Sequence, residues 1–401
     1  MKYAVILGDG MADWAVEELG GKTPLEAAKH PAMDKLSQAG TLGLVKTIPD
    51  GMKPGSDTAN LAVFGYDPRK YYTGRSPLEA MSLGIDLEQN DVAYRCNLVT
   101  LTGGNSLTES VMTDYSAGEI STEEAAELIA FLSEQIQDEG VLLYPGFSYR
   151  HCLVMKQAET GAELTPPHDI SGQSVEGKLP QGTNSELLMR WMERAFQLLG
   201  DHPINRARVQ AGKNPANAIW FWGEGRRPQL SPFAEKTGLS GAVISAVDLI
   251  QGIGKCAGME VIKVKGATGT FETNFSGKAQ AAIDAFSRGI DYVYIHLEAP
   301  DECGHHGQLK EKIFSIEQID EKVLTPVWKH LEANGEDYRI LLLPDHPTPL
   351  KIRTHSAEPV PFTLFKKGDN EQKKVRYCEK DAAQTGVSLD EGFRLIDKML
   401  V

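Results

Sequence analysis

The stretch DYVYIHLEAPDECGHHG, residues 291–307, is an apolar run that ends in carboxylates and two imidazoles. Its first seven residues barely alternate between polar and apolar, which suits a strand covered on both faces of a parallel sheet. Similar runs recur at Tyr3–Leu7, Asn217–Trp222 (NAIWFW), Ala242–Val247 (AVISAV), Met259–Val264 (MEVIKV) and Tyr338–Leu343 (YRILLL). Between the later runs lie helical stripes. Residues 276–289 align Ala279, Ala282, Ile283 and Phe286, and residues 314–333 align Ile316, Ile319, Val323, Val327 and Leu331. Strand and helix alternating at this pitch predict an α/β fold with a mostly parallel sheet flanked by helices.

The middle of the chain reads differently. Residues 91–115 are rich in Thr, Asn and Gly, with short strand-like pieces such as NLVTLT. A helix is predicted from Thr122, with Ser121 as N-cap and Glu124 completing a capping box. A short strand (HCLVMK), a Pro/Gly-rich loop from Leu164 to Gly182, and a second helix carrying Leu187, Leu188, Trp191, Ala195 and Leu198 follow. Residues 86–229 are therefore expected to form a smaller inserted α+β domain, and 1–85 with 230–401 the main α/β domain.

Composition narrows the function classes. The chain has 401 residues, 41% of them hydrophobic and 24% charged, an ordinary globular balance that excludes a largely disordered chain. A net charge of −14 argues against a nucleic-acid groove and against a polybasic membrane patch. Five scattered cysteines without CxxC spacing suit a reducing cytoplasm better than a disulfide framework. The N-terminal apolar run is too short for a signal peptide, and no 18-residue apolar run is present.

Three predicted strands lead into aspartates: Asp9 after AVILG, Asp301 after YIHLEAP and Asp345 after ILLLP. Ligands collect beyond the carboxyl ends of strands in parallel α/β sheets, so three such carboxylates can converge. A lone loop aspartate is ordinarily a cap or turn former. Histidines change that reading, because His305, His306, His346 and His355 lie on the loops after the same two late strands. Asp with His is a mixed ligand set suited to Mn²⁺ or Zn²⁺ more than to Ca²⁺. A further motif, KPGSDTAN, sets Ser56 between Gly55 and Asp57. A serine at a helix start exposes its hydroxyl to the positive end of the helix, though a plain N-cap reads the same locally. Neither GxSxG nor GxxxxGK[ST] occurs, so a nucleophilic Ser56 would need metal activation.

Taken together, GDG near the N-terminus, GSDTAN, DxxxH after a strand, DH and a later THS resemble the alkaline phosphatase superfamily. More narrowly, the chain resembles the archaeal-type cofactor-independent phosphoglycerate mutases. Supporting stretches run nearly its full length: YYTGRSPLEAMSLGI, DVAYRCNLVT, SYRHCLVM, PHDISG, AVISAVDLIQGIGKCAGMEV and GATGTFETN. The resemblance implies an alkaline-phosphatase-like catalytic domain holding two divalent ions, Mn²⁺ or Zn²⁺, with Mg²⁺ as a third candidate. Asp9, Ser56, Asp345 and His346 would hold one ion, and Asp301, His305 and His355 the other. Two divalent ions against three aspartates leave one positive charge, which a Ser56 alkoxide would cancel. Ser56 would then attack a bound phosphomonoester, become phosphoserine and return the phosphoryl group to the neighbouring hydroxyl. Water has to be kept out, or the enzyme becomes a phosphatase.

The inserted domain is expected to bind a small phosphorylated acid. Arg95, Arg150, Arg226 and Arg227 are the candidate cations, beside His151, because the arginine fork matches carboxylate and phosphate. Asp114, His168 and Asp169 are candidates for hydroxyl contacts or proton transfer. One departure stands out: Trp222-Gly223-Glu224-Gly225 replaces the arginine-bearing RGxG of the mutases. Glu224 would suit a substrate with an ammonium group. A homoserine kinase-like phosphotransferase or a phosphomonoesterase is therefore the alternative to a mutase, and a non-catalytic metal-binding protein a third reading.

Overall fold

The computed structural model describes all 401 residues. The chain divides into two compact units, Met1–Tyr72 with Gln229–Val401, and Thr73–Pro228.

The first unit is built on an eight-stranded sheet. Its strands are β1 (Lys2–Gly8), β2 (Thr41–Val45), β10 (Gly241–Ile244), β11 (Glu260–Ile262), β12 (Tyr292–Leu297), β13 (Tyr338–Leu343), β14 (Val360–Lys366) and β15 (Ser388–Leu389). Their order is β11-β10-β12-β1-β13-β14-β2-β15, and only β14 runs against the others. Strands β1, β12 and β13 are buried at every residue, which is why the sequence shows continuous apolar runs there. Register sets Leu7 beside both His296 and Leu343, so the chain leaves these three strands at the same sheet edge. One core packs Ile6, Val293, Ile295, Ile340 and Leu342 against Ala282, Phe286, Ile316, Val323 and Val327.

The helix expected over 314–333 is interrupted. Leu309–Gln318 and Thr325–Ala333 are α-helical, and Ile319–Leu324 between them is a π turn. All five residues of the predicted stripe remain buried. The π turn carries Asp320, whose carboxylate accepts the Ala32 and Met33 N–H groups at 3.2 and 2.7 Å. Those are the open donors of the helix Pro31–Ala39, whose N-cap His30 supplies no side-chain cap.

The second unit holds β3 (Val92–Thr102), β4 (Val111–Asp114), β5 (Val141–Phe147), β6 (Arg150–Met155) and β9 (Ala218–Arg226) in one antiparallel sheet. A two-stranded ribbon, β7 (Ala162–Glu163) with β8 (Gln181–Gly182), stands apart from it. The helices Thr122–Gln135 and Ser185–Leu199 cover its core, among them Leu128, Leu132, Leu188 and Trp191. Ser121 caps the first through the Glu124 N–H (3.2 Å), and the Glu124 carboxylate pairs with Arg208 (2.6 Å). The boundary expected after residue 85 falls after residue 72. The helix Ser76–Ser82 buries Pro77, Leu78, Ala80 and Met81 and packs on β3 and β9, so it belongs with the second unit. No helix is long and apolar enough to cross a membrane.

Candidate active site

Beyond the ends of β1, β12 and β13, the first unit brings together all seven residues singled out around the candidate metal site. Nε2 of His346 lies 3.1 Å from Ser56 Oγ, 3.4 Å from Asp345 Oδ2 and 3.6 Å from Asp9 Oδ1. Nε2 of His355 lies 3.4 Å from Asp301 Oδ1, and Nε2 of His305 lies 3.3 Å from Asp301 Oδ2 and 3.0 Å from His355 Nε2. Two groupings are close enough to hold a cation: Asp9, Asp345 and His346, and Asp301, His346 and His355. His346 stands in both, a sharing that the expected division of ligands did not include.

Local structure explains each placement. Ser56 is the first residue of the helix Ser56–Val63, and its N-cap is Gly55, which has no side chain. The Ser56 hydroxyl therefore stays out of capping and approaches His346. Gly10 turns the chain with φ +60°, and its N–H donates to Asp345 Oδ1 at 3.1 Å. A Cβ there would stand 2.7 Å from the Asp301 Cα, so only glycine fits. The Asp345 carboxylate also accepts the His346 N–H (2.9 Å) and the Asn60 side-chain amide (2.8 Å). His305 Nδ1 donates to the Arg353 carbonyl at 3.0 Å, which leaves Nε2 as the free ligand atom.

The electrostatics suit a cation. Burial, with the charges of Asp345 and Asp301, pushes the Asp9 carboxyl well above the usual range. Asp9 Oδ1 is buried with no hydrogen-bond partner. Burial also tends to raise Asp301, but His305 and His355 overcome it and hold that carboxyl well below the usual range. Burial lowers His346, which favours the neutral imidazole a metal requires. Buried like charges, an unpartnered oxygen and converging Nε2 atoms together fit divalent cations.

Four neighbours escaped sequence reasoning. Thr348 donates from Oγ1 to Asp301. Asn60 donates to both the Ser56 carbonyl and Asp345, and Tyr294 donates to its Oδ1 (2.6 Å). His296, fully buried on β12, sets Nε2 3.2 Å from Asp9 Oδ2. For His296 alone there was a signal: an imidazole inside an otherwise apolar strand.

In the second unit the candidate substrate residues separate into groups. Arg95 stacks over Trp222 (3.9 Å to the ring centroid) and pairs with Glu79 (2.9 Å). Burial lowers it to about 10, with the Arg75 and Arg150 charges adding to the effect. His168 meets Trp222 and Tyr115 edge-on, Asp169 lies 3.5 Å from it, and Arg150 is exposed beside Tyr149. Asn97, also missed, accepts the Trp222 indole N–H at 2.9 Å.

The other candidates serve the backbone. Asp114 accepts the Ser116 and Gly118 N–H groups, and His151 Nδ1 accepts that of Gly146. Burial drops His151 to about 3. Glu224 Oε1 accepts the Gly161 and Ala162 N–H groups at 2.6 and 3.1 Å. Arg226 donates to the Ala158 carbonyl, and Arg227 lies 3.8 Å from Asp86. Glu224 Oε1 and Arg226 thus engage the 158–162 segment, while Glu224 Oε2 is buried without a hydrogen-bond partner.

Carboxylates and imidazoles at the carboxyl ends of parallel strands, with a hydroxyl beside them, make a site of the kind that transfers phosphoryl groups. Residues 37–205 match the family described as 2,3-bisphosphoglycerate-independent phosphoglycerate mutase. The chain is 51% identical to a probable enzyme of that name from Geobacter sulfurreducens over 401 residues, the whole of both chains. It is 50% identical to one from Methanothrix thermoacetophila, covering 99% of this chain and 98% of the relative. Among solved structures it resembles a Pyrococcus horikoshii protein (TM-score 0.84, 30% identity, 100% and 96% of the two chains). It also resembles the cofactor-independent phosphoglycerate mutase of Thermoplasma acidophilum (TM-score 0.69, 25% identity, 100% and 99%). The chain belongs to the 2,3-bisphosphoglycerate-independent phosphoglycerate mutase family.

Proposed function

We propose that the protein is a metal-dependent phosphoglycerate mutase that interconverts 3-phosphoglycerate and 2-phosphoglycerate through a phosphoserine on Ser56. The observation that carries this reading is the Ser56 hydroxyl, left free by a glycine N-cap and 3.1 Å from His346 in the carboxylate–imidazole cluster. Asp9, Asp345 and His346, with Ser56, would hold one divalent ion, and Asp301, His305 and His355 the other, with His346 close to both groups. Mn²⁺ or Zn²⁺ suits this donor set. When bound, such ions lower the pKa of a coordinated hydroxyl and neutralise charge on the transferring phosphoryl group.

The residues divide the remaining work. Ser56 Oγ forms a bond to phosphorus as the substrate oxygen–phosphorus bond breaks, and the departing oxygen takes up a proton. The neighbouring hydroxyl then attacks the phosphoserine as the Oγ–phosphorus bond breaks, and the proton it loses restores the Ser56 hydroxyl that gave one up in the first step, so the net reaction is an isomerisation without water. Gly10, Asn60 and the His346 N–H fix the Asp345 carboxylate, so little reorganisation accompanies reaction. Arg95, stacked over Trp222 and paired with Glu79, is a candidate for the substrate's carboxylate, with Arg150 and His168 as further candidates. Buried free cysteines fit a cytoplasmic enzyme. An enolase-coupled assay with Mn²⁺ tests the reading. The parent protein should turn over 3-phosphoglycerate without added bisphosphoglycerate, and Ser56→Ala should lose turnover while keeping its metal. Unchanged turnover in Ser56→Ala would remove the phosphoserine mechanism.

A further inference from the structure

We infer that His296 is a positioning residue for Asp9, and that the buried chain Lys278–Glu298–His296 sets how tightly the Asp9 end of the site holds a divalent cation. The inference rests on the reading of Asp9 as a metal ligand.

The chain starts at Lys278, fully buried on the helix Phe275–Ser287. Its ammonium donates to the His296 carbonyl at 2.9 Å and pairs with Glu298 Oε2. Glu298 Oε1 accepts the Ala246 N–H at 2.6 Å and the Ser245 hydroxyl at 2.9 Å, and lies 3.2 Å from His296 Nδ1. The opposite ring nitrogen lies 3.2 Å from Asp9 Oδ2. Burial disfavours the imidazolium, but the neighbouring Asp9 and Glu298 carboxylates outweigh it and hold His296 up to about 10.

Two features separate this arrangement from ordinary structural pairing. Glu298 sits at the N-cap of the helix Ala299–His306, where a carboxylate would normally accept the helix's own N–H groups, yet it caps nothing. Its side chain turns into the strand layer instead. Buried charges are also poor stabilisers compared with apolar packing, so a lysine, a glutamate and a histidine here need another reason to exist. The Asp9 carboxylate supplies one. Its Oδ2 faces His296, which leaves the unpartnered Oδ1 turned toward the cluster, 3.6 Å from His346 Nε2. An imidazole that fixes the rotation of a ligating carboxylate is an outer-shell orienter, and losing one typically costs about 10–100-fold in metal affinity.

The test uses the full chain, stripped of metal with a chelator, checked for folding by circular dichroism and titrated with Mn²⁺ by calorimetry. The parent should bind two ions. His296→Phe should weaken one of them by about 10–100-fold and leave the other within threefold. His296→Gln, whose longer amide reaches the Nε2 position and can still donate to Asp9, should recover part of the loss, and Glu298→Gln should weaken the same ion. Both dissociation constants staying within twofold of the parent in a folded His296→Phe would overturn the inference. Equal weakening of both ions would overturn it too, because a general loosening of the fold moves both. If His296→Phe does not fold, Glu298→Gln decides: selective weakening of one ion supports the inference and unchanged binding overturns it. A parent that binds no Mn²⁺ would overturn the metal reading itself, an outcome distinct from all of these.

Discussion

Asn60→Ala removes one side chain that ties three parts of the candidate site together. Asn60 is fully buried; its amide donates to the Ser56 carbonyl and to Asp345 Oδ2, both at 2.8 Å, and its Oδ1 accepts from the Tyr294 hydroxyl at 2.6 Å. Alanine leaves that hydroxyl without its acceptor in the interior, at about 1–3 kcal/mol, and removes a hydrogen bond to a carboxylate, worth about 1.5–3 kcal/mol. The combined destabilisation is about 4 kcal/mol. At about 2–4 °C per kcal/mol for a body of this size, the melting temperature of the metal-free protein should fall by about 8–16 °C. Turnover should fall further than stability alone dictates, because the start of the Ser56 helix and the Asp345 carboxylate lose a common anchor. A displacement on the order of 1 Å there costs about a hundredfold. Calorimetry with the enolase-coupled assay at 25 °C reads both effects. Asn60→Asp keeps the acceptor for Tyr294 but sets a second carboxylate against Asp345, and should be at least as damaging. A melting shift under about 3 °C with turnover within threefold of the parent would refute the reasoning, since a buried group left unpaired costs far more than that.

Three further outcomes follow from the same geometry. His355→Ala should lower the metal content by one ion per chain in elemental analysis, and full occupancy would remove His355 from the ligand set. Asp320→Ala should destabilise the protein by about 2–4 kcal/mol in urea unfolding, because two helix N–H groups lose their acceptor; Asp320→Asn, which keeps one acceptor, should cost less. His30 donates from Nε2 to the Leu25 carbonyl (2.7 Å) and faces Asp34 with Nδ1 (3.1 Å), and these partners overcome burial to raise it above its ordinary value of 6.5. A raised histidine stabilises fully below that ordinary value and loses its contribution as pH rises through the folded value. The stability gap between the parent and His30→Gln should therefore be wider at pH 5.5 than at pH 9, and a gap independent of pH would count against the charged pair.

The sequence announces the strands at the centre of the sheet, because burial on both faces writes a continuous apolar run. It is silent on β2 and β14. TLGLV is short and holds a glycine, while VPFTLFK opens beside a proline and carries a threonine that the fold buries. The π turn is equally hidden, since Ile316, Ile319, Val323, Val327 and Leu331 keep a helical spacing through it. At the site, aspartates and histidines that follow strands stand out because their loop positions leave few other uses for them. Asn60, Thr348, Glu298 and Lys278 do not, because their roles depend on partners far away in sequence. Glu224 and Arg226 also carry contacts that no local pattern shows: charges beside a strand suggest a ligand, and in the fold each engages main-chain groups of residues 158–162.

The pairing of β1 bears on how the chain emerges from the ribosome. Strand β1 is made first, yet its neighbours β12 and β13 begin at residues 292 and 338. At about 5–20 residues per second, this segment, apolar apart from Lys2, waits roughly 15–60 s for a partner. The antiparallel sheet of the second unit, complete by Arg226, has all its strands well before then. During that interval residues 2–8 are an unpaired hydrophobic strand, a natural target for a holdase and a natural seed for aggregation when translation stalls.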